Sequence, residues 1–97
     1  MKIYLDDERP TPEGWVRCYW PEEVIELLEN NDVEMISLDH DLGDDEHGTG
    51  NDVILWIEQK VIEERYVPPL ILLHTANTSA RHKMMLGLQS IFRLKLT

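Results

Sequence analysis

Cysteine is all but missing from this chain, Cys18 being the only one. An intramolecular disulfide is therefore excluded, and a reducing compartment is the expectation. Basic residues are also scarce. Lys and Arg number 9 against 19 Asp and Glu, giving a formal net charge of −10. Broad, non-specific binding to duplex nucleic acid relies on basic surface and is excluded on that ground. A small phosphorylated ligand is not, because a metal held by carboxylates supplies local positive charge. Nothing in the chain approaches the roughly 18 consecutive apolar residues of a membrane span. No cleavable signal pattern is visible, since Met1-Lys2-Ile3 runs straight into a strand-like segment. A cytoplasmic protein without membrane association is expected. Internal repeats and low-complexity tracts are absent as well. The 97 residues fit one small domain, 1–97, able to bury roughly 60–68% of its unfolded surface.

What is present alternates. Ile3-Tyr4-Leu5 is a short apolar run and predicts a strand over 2–6. Arg9 to Gly14 holds two prolines and a glycine and reads as a loop. Trp15 to Trp20 is strand-like by its aromatic and β-branched content. Pro21, Glu22 and Glu23 suit a first helical turn, and Val24, Ile25, Leu27 and Leu28 supply the apolar stripe. Residues 34–39 predict the next strand. The polar, glycine-rich stretch from Gly43 to Gly50 is a loop with His47 as a lid candidate. Gly48-Thr49-Gly50 lacks the lysine and spacing of a phosphate-binding P-loop. Thr49 with Asp52 resembles a capping box, and Val53, Ile57 and Val61 mark a helix ending near Arg65. Leu70 to Leu73 is uninterruptedly apolar, as expected of a strand covered on both faces. Thr78 or Ser79 can cap a further helix with Met84, Met85 and Leu88 packed inward. Ile91 to Leu96 alternates and predicts a final edge strand. Such an edge would offer itself to a second copy of the chain. Strands alternating with helices predict an α/β fold, a parallel sheet with helices on both faces.

Ligands in such sheets bind beyond the carboxyl ends of the strands. Asp6-Asp7, Asp39-His40-Asp41 and His74 all fall at predicted strand ends, each group on a different strand. Carboxylates crowded into one crevice repel one another unless a cation is present. Oxygen donors of this kind suit Mg2+ or Mn2+. Asp7, Asp39 and Asp41 are the expected ligands, with Asp6 a ligand or a supporting group. Solvated loop positions are the plainer account of each. Histidine as a residue type titrates near neutrality, so His40 and His74 can serve as acid and base, although a lone strand-end histidine is often only hydrogen-bonded. Arg81 can fork onto a phosphate, and Asn77 can orient a phosphate or a hydroxyl. The alternative for that pair is a helix cap followed by a solvated arginine. Trp15, Tyr19 and Trp20 can stack on a base or simply pack.

The ordered strings Leu5-Asp6-Asp7-Glu8-Arg9-Pro10, Leu38-Asp39-His40-Asp41-Leu42-Gly43, Thr49-Gly50-Asn51-Asp52 and His74-Thr75-Ala76-Asn77 through Arg81 and Met84 resemble the cyclic-phosphate-processing receiver-like domain. The resemblance runs over nearly the whole chain. It implies a flavodoxin-like, doubly wound sheet of about five mostly parallel strands. It also implies that Asp6-Asp7 and Asp39 stand where receivers keep their acidic pair and phospho-accepting aspartate. Glu8–Gly14 is too short for the first receiver helix, and the last helix is missing. His74 stands where receivers carry a small hydroxyl residue, and Lys95 is a poor match to their lysine.

The expected function is metal-assisted cleavage of cyclic phosphates, such as 2′,3′-cyclic ends of RNA or nucleotides. Asp39, His40 and His74 are the catalytic candidates; Asn77 and Arg81 are the phosphate-binding ones. A two-histidine route without metal and a phospho-aspartate on Asp39 are variants of the same chemistry. The alternatives are a non-catalytic module binding a phosphorylated ligand or a protein, and an aspartyl-phosphate switch.

Overall fold

A computed structural model describes residues 1–95. Four strands form one sheet: β1 (Lys2–Leu5), β2 (Val16–Cys18), β3 (Met35–Leu38) and β4 (Leu70–Leu73). They lie in the order β2-β1-β3-β4, and every neighbouring pair is parallel. Three helices complete the fold: α1 (Pro21–Asn30), α2 (Gly50–Glu64) and α3 (Thr78–Lys95). The strand order keeps the switch between β1 and β3 that marks a doubly wound, flavodoxin-like sheet.

Helices were expected on both faces, and the structure corrects this. The crossovers from β2 to β3 and from β3 to β4 run the same way across the sheet. Right-handed connections then place α1 and α2 on the same face. The β1–β2 connection is a loop, so no helix among the described residues crosses to the other side. A single core results. Ile3, Leu5, Ile36 and Leu38 meet Val24 and Leu28 of α1, Val53, Ile54 and Ile57 of α2, and Met84 and Ile91 of α3. Leu70 and Leu72 of β4 are 56% and 40% exposed. The apolar run of β4 therefore belongs to an edge strand with one open face, not to a strand covered twice.

The stretch predicted as a final strand is also corrected. Ile91 to Lys95 continue α3, while Leu96 lies outside the described residues. Met84, Leu88 and Ile91 share a stripe at helical spacing, and Met84 and Ile91 are buried along it. That continuous stripe outweighs a short alternation, because extending an existing helix costs far less than nucleating a new element. Met84 is fully buried, but Met85 is exposed and does not join the core. Gly87 permits the close α2–α3 approach: a β-carbon there would lie 2.7 Å from Ile54 Cγ2.

Caps set the helix starts. Glu23 Oε1 accepts the Tyr19 and Trp20 amides at the head of α1. Asp52 returns to the Thr49 amide at 2.9 Å, the expected box at α2. Asn77 caps α3 in place of Thr78 or Ser79, its Oδ1 accepting the Ala80 amide. At the end of α2, Arg65 turns into the left-handed region at φ 53°.

Candidate functional site

The parallel register pairs Leu5 with Leu38 and Leu38 with Leu73. The next residue of each strand is Asp6, Asp39 or His74, so the three side chains emerge side by side in one row. Each is fixed by a last backbone bond to the neighbouring strand. The Asp6 amide donates to Cys18 O, the Asp39 amide to Leu5 O, and the His74 amide to Leu38 O. Adjacent strands lie about 4.8 Å apart. Donor atoms of Asp6, Asp39 and His74 correspondingly fall within 4.8 Å of one another. Period-two alternation puts them on the open face of the sheet, in line with Tyr4, Ser37 and Leu72.

Asp6 is the hub, with only 1% of its surface exposed. Its Oδ1 accepts the Glu8 and Arg9 amides at 2.8 and 2.9 Å. Its Oδ2 accepts His74 Nε2 at 2.9 Å and Arg9 Nη1 at 3.2 Å. Burial by itself would raise the carboxyl's pKa. The backbone donors and His74 outweigh it and hold the group below its ordinary value.

His74 lies flat on Tyr4, ring centroids 4.4 Å apart. Its Nδ1 meets the Ser37 hydroxyl at 2.7 Å. Burial lowers its pKa, with Asp6 and Asp39 pulling the other way, so the ring is neutral at pH 7. Asp6 can only accept; Nε2 therefore carries the proton and Nδ1 accepts from Ser37. Both nitrogens are engaged within the protein.

His40 differs. Its Nδ1 donates to Asp41 Oδ1 at 2.9 Å, and Nε2 has no partner among the described residues. That bond is the first cause of Asp41's lowered pKa, and the Asn77 amide at 3.3 Å on Oδ2 adds to it. Asn77 thus joins the crevice while capping α3. Arg81 reaches the end of β4 through a 3.3 Å bond to Leu73 O. Asp7 lies against Gly43.

Asp6, Asp7, Glu8, Arg9, Asp39, Asp41, Gly43 and Ala76 line a crevice of about 330 Å³. A larger cavity of about 530 Å³ lies between α2 and α3, lined by Val61, Tyr66, Leu94 and Lys95 among others. It has no such convergence of acids, so the smaller crevice is the candidate site. Lys95 lines that remote cavity, not the site.

Three further residues shape the crevice without a sequence expectation of their own. Arg9 Nη1 bonds His74 O at 2.7 Å and stands 3.8 Å from Asp39 Oδ2. Ser37 holds His74 from below; a solitary hydroxyl inside an apolar strand was the available signal. Gly50 carries the start of α2 against Asp39, where a β-carbon would lie 1.8 Å from the Asp39 carbonyl oxygen. His47 pins the 43–48 loop to α1 by a 2.6 Å bond to Glu22 and a stack on Trp20. Trp15 packs edge-on against Tyr4, and Tyr19 lies beneath Arg17. His82 is exposed on α3.

The site fits a hard divalent cation. Carboxylate oxygens of Asp6 and Asp39 converge at two strand ends, with Asp7 and Asp41 on the same crevice wall and His74, its nitrogens both engaged, beside them. None of the described helices is long and apolar enough to cross a membrane. No curated protein and no solved structure matches the chain. The family model of the cyclic-phosphate processing receiver domain matches residues 1–90. With its parallel sheet, its switch point and its acidic strand ends, this chain belongs to the cyclic-phosphate processing receiver domain family.

Proposed function

We propose that the crevice is the active site of a metal-assisted phosphodiesterase that opens cyclic phosphates, with 2′,3′-cyclic ends of RNA or nucleotides as the substrate class. The observation that carries this reading is the row of Asp6, Asp39 and His74 within 4.8 Å, flanked by Asp7 and by Asp41, which holds a His40 whose Nε2 is unpartnered among the described residues. The crevice has five acidic side chains and one arginine on its walls. A phosphate would be repelled there without a cation.

Asp39, Asp7 and Asp41 would hold Mg2+ or Mn2+, with Asp6 braced behind them. The chemistry supplied there would be polarisation of a phosphoryl oxygen and an offset to the negative charge of the crevice. His40 is the acid/base residue, because Asp41 fixes its tautomer and leaves Nε2 bare. His40 takes the proton of the attacking water. As the water oxygen bonds to phosphorus and a ribose oxygen leaves, the same imidazolium returns a proton to that oxygen. His74, with both nitrogens engaged, positions Asp6. Asn77 and Arg81 steady the phosphate at the rim.

The test is incubation with 2′,3′-cyclic nucleotides and short RNAs bearing that end, in Mg2+, Mn2+ or chelator, with products separated by chromatography. Turnover is expected with metal and lost on Asp39→Ala. His40→Ala is expected to slow it by about 10²–10⁴-fold, the usual range for general acid–base groups. No turnover with either metal, or full turnover in Asp39→Ala, refutes the proposal.

A further inference from the structure

Arg9 stands in an unusual place for a residue beside a cation site. Its Nη1 contacts Asp6 Oδ2 at 3.2 Å and Asp39 Oδ2 at 3.8 Å, two of the three groups in the metal-fitting row. It also donates to the His74 carbonyl at 2.7 Å. All three strand ends of the row are therefore tied through one nitrogen. The chain's local geometry forces this. Asp6 Oδ1 accepts the Glu8 and Arg9 amides, so the backbone turns sharply after β1 and folds the Arg9 side chain back over the strand ends. Among the described residues, Arg9 is the only basic one lining the crevice. Its side chain is 43% exposed, leaving room for it to swing outward.

We infer that Arg9 is a displaceable counter-ion: its guanidinium neutralises Asp6 and Asp39 in the cation-free protein and competes with a divalent ion for Asp39. The inference rests on the metal-assisted reading and adds a residue that sets metal affinity. Two cations cannot share these carboxylates at hydrogen-bond range without strong repulsion. Divalent binding therefore draws the guanidinium off Asp39, and the freed fork can turn to an anionic ligand at the crevice mouth. A fixed positive charge also protects the apo site, where unopposed carboxylates would repel each other.

The experiment is Mn2+ binding to the full chain, followed by calorimetry and by the electron paramagnetic resonance of free Mn2+, for wild type, Arg9→Gln and Arg9→Lys at low salt. Arg9→Gln is expected to bind about two- to fivefold tighter, the order set by one half-exposed ion pair. Arg9→Lys keeps the charge and is expected near wild type, which also covers loss of fold in the glutamine variant. In the wild type, the Arg9 side-chain NMR signals are expected to shift in step with Mg2+ saturation. Equal or weaker Mn2+ binding by folded Arg9→Gln, with saturable wild-type binding, overturns this inference alone. Absence of saturable binding to any of the proteins overturns the metal-assisted reading and this inference with it.

Discussion

At the residue scale, the site is governed by how few donors and acceptors are left idle. Asp6 satisfies two backbone amides, an imidazole and a guanidinium with two oxygens. Replacing it with alanine leaves the His74 imidazole and two part-buried amides without their acceptor, at a cost of about 3 kcal/mol. Ser37→Ala removes the 2.7 Å contact to His74 Nδ1 and is expected to lower stability by about 1 kcal/mol in urea unfolding. The pH dependence has a defined sign. His74 is held below its ordinary value by burial. The unfolded chain takes up that proton first, so stability falls as pH drops through about 6.5. Asp6 is held low by its hydrogen bonds against the effect of burial. Its contribution is present above about pH 3.9 and is lost below that, towards its lower folded value. Urea midpoints measured in chelator should decline in those two windows, and His74→Gln should flatten the upper one relative to wild type. An unchanged slope in the variant would show that His74 is not buried neutral.

At the element scale, strand ends and helix starts meet at tolerances that admit no extra atom. The head of α2 passes so close to Asp39 that a β-carbon at Gly50 would overlap its carbonyl oxygen at 1.8 Å. The Gly50 amide also donates to His40 O at 3.0 Å. Gly50→Ala is thus expected to push α2 off the β3 end, costing about 3 kcal/mol by overpacking. It should also degrade Mn2+ affinity, since Asp39 moves with its backbone. Thermal melts and metal titration of that variant together check this. A variant as stable and as metal-competent as wild type would contradict the packing argument. The same scale explains the misread end of the chain. Ile91 to Lys95 carry both a period-two alternation and a stripe in phase with Met84 and Leu88. Only contact with the core at Met84 and Ile91 decides between them.

At the scale of the whole molecule, one face of the sheet is helical and the other carries no helix among the described residues. The missing first helix is the cause, since Glu8 to Gly14 is a short proline-bearing loop. The open face is where Tyr4, Ser37 and the functional row emerge. A formal charge of −10 on 97 residues adds self-repulsion to this fold. Divalent binding should therefore stabilise the entire molecule. At an ion concentration about a hundredfold above Kd, linkage adds about 2.7 kcal/mol. For a domain of this size that is roughly a 10–20 °C rise in Tm. Differential scanning fluorimetry with Mn2+, against an Asp39→Ala control, reads it. A rise of equal size in the control would place the ion elsewhere on the acidic surface.

The amino-acid sequence alone determined which titratable side chains would meet. Three short apolar runs each ended in a titratable residue, and in a parallel sheet those ends converge by topology, so Asp6, Asp39 and His74 could be named before any coordinates. Helix positions were equally legible at α1 and α2, because apolar periodicity and caps are local properties. What only the tertiary structure decided was partnership. That His74 spends both nitrogens on Ser37 and Asp6, while His40 keeps one bare, depends on strand register across 37 and 68 residues of chain. That Arg9 lies among the carboxylates depends on a turn set by Asp6's own side chain. Which face the helices cover, and whether β4 is central or an edge, followed from the handedness and direction of the crossovers. Apart from the Arg9 turn, which is local but has no signature in apolar periodicity, these are long-range choices that local sequence pattern does not record.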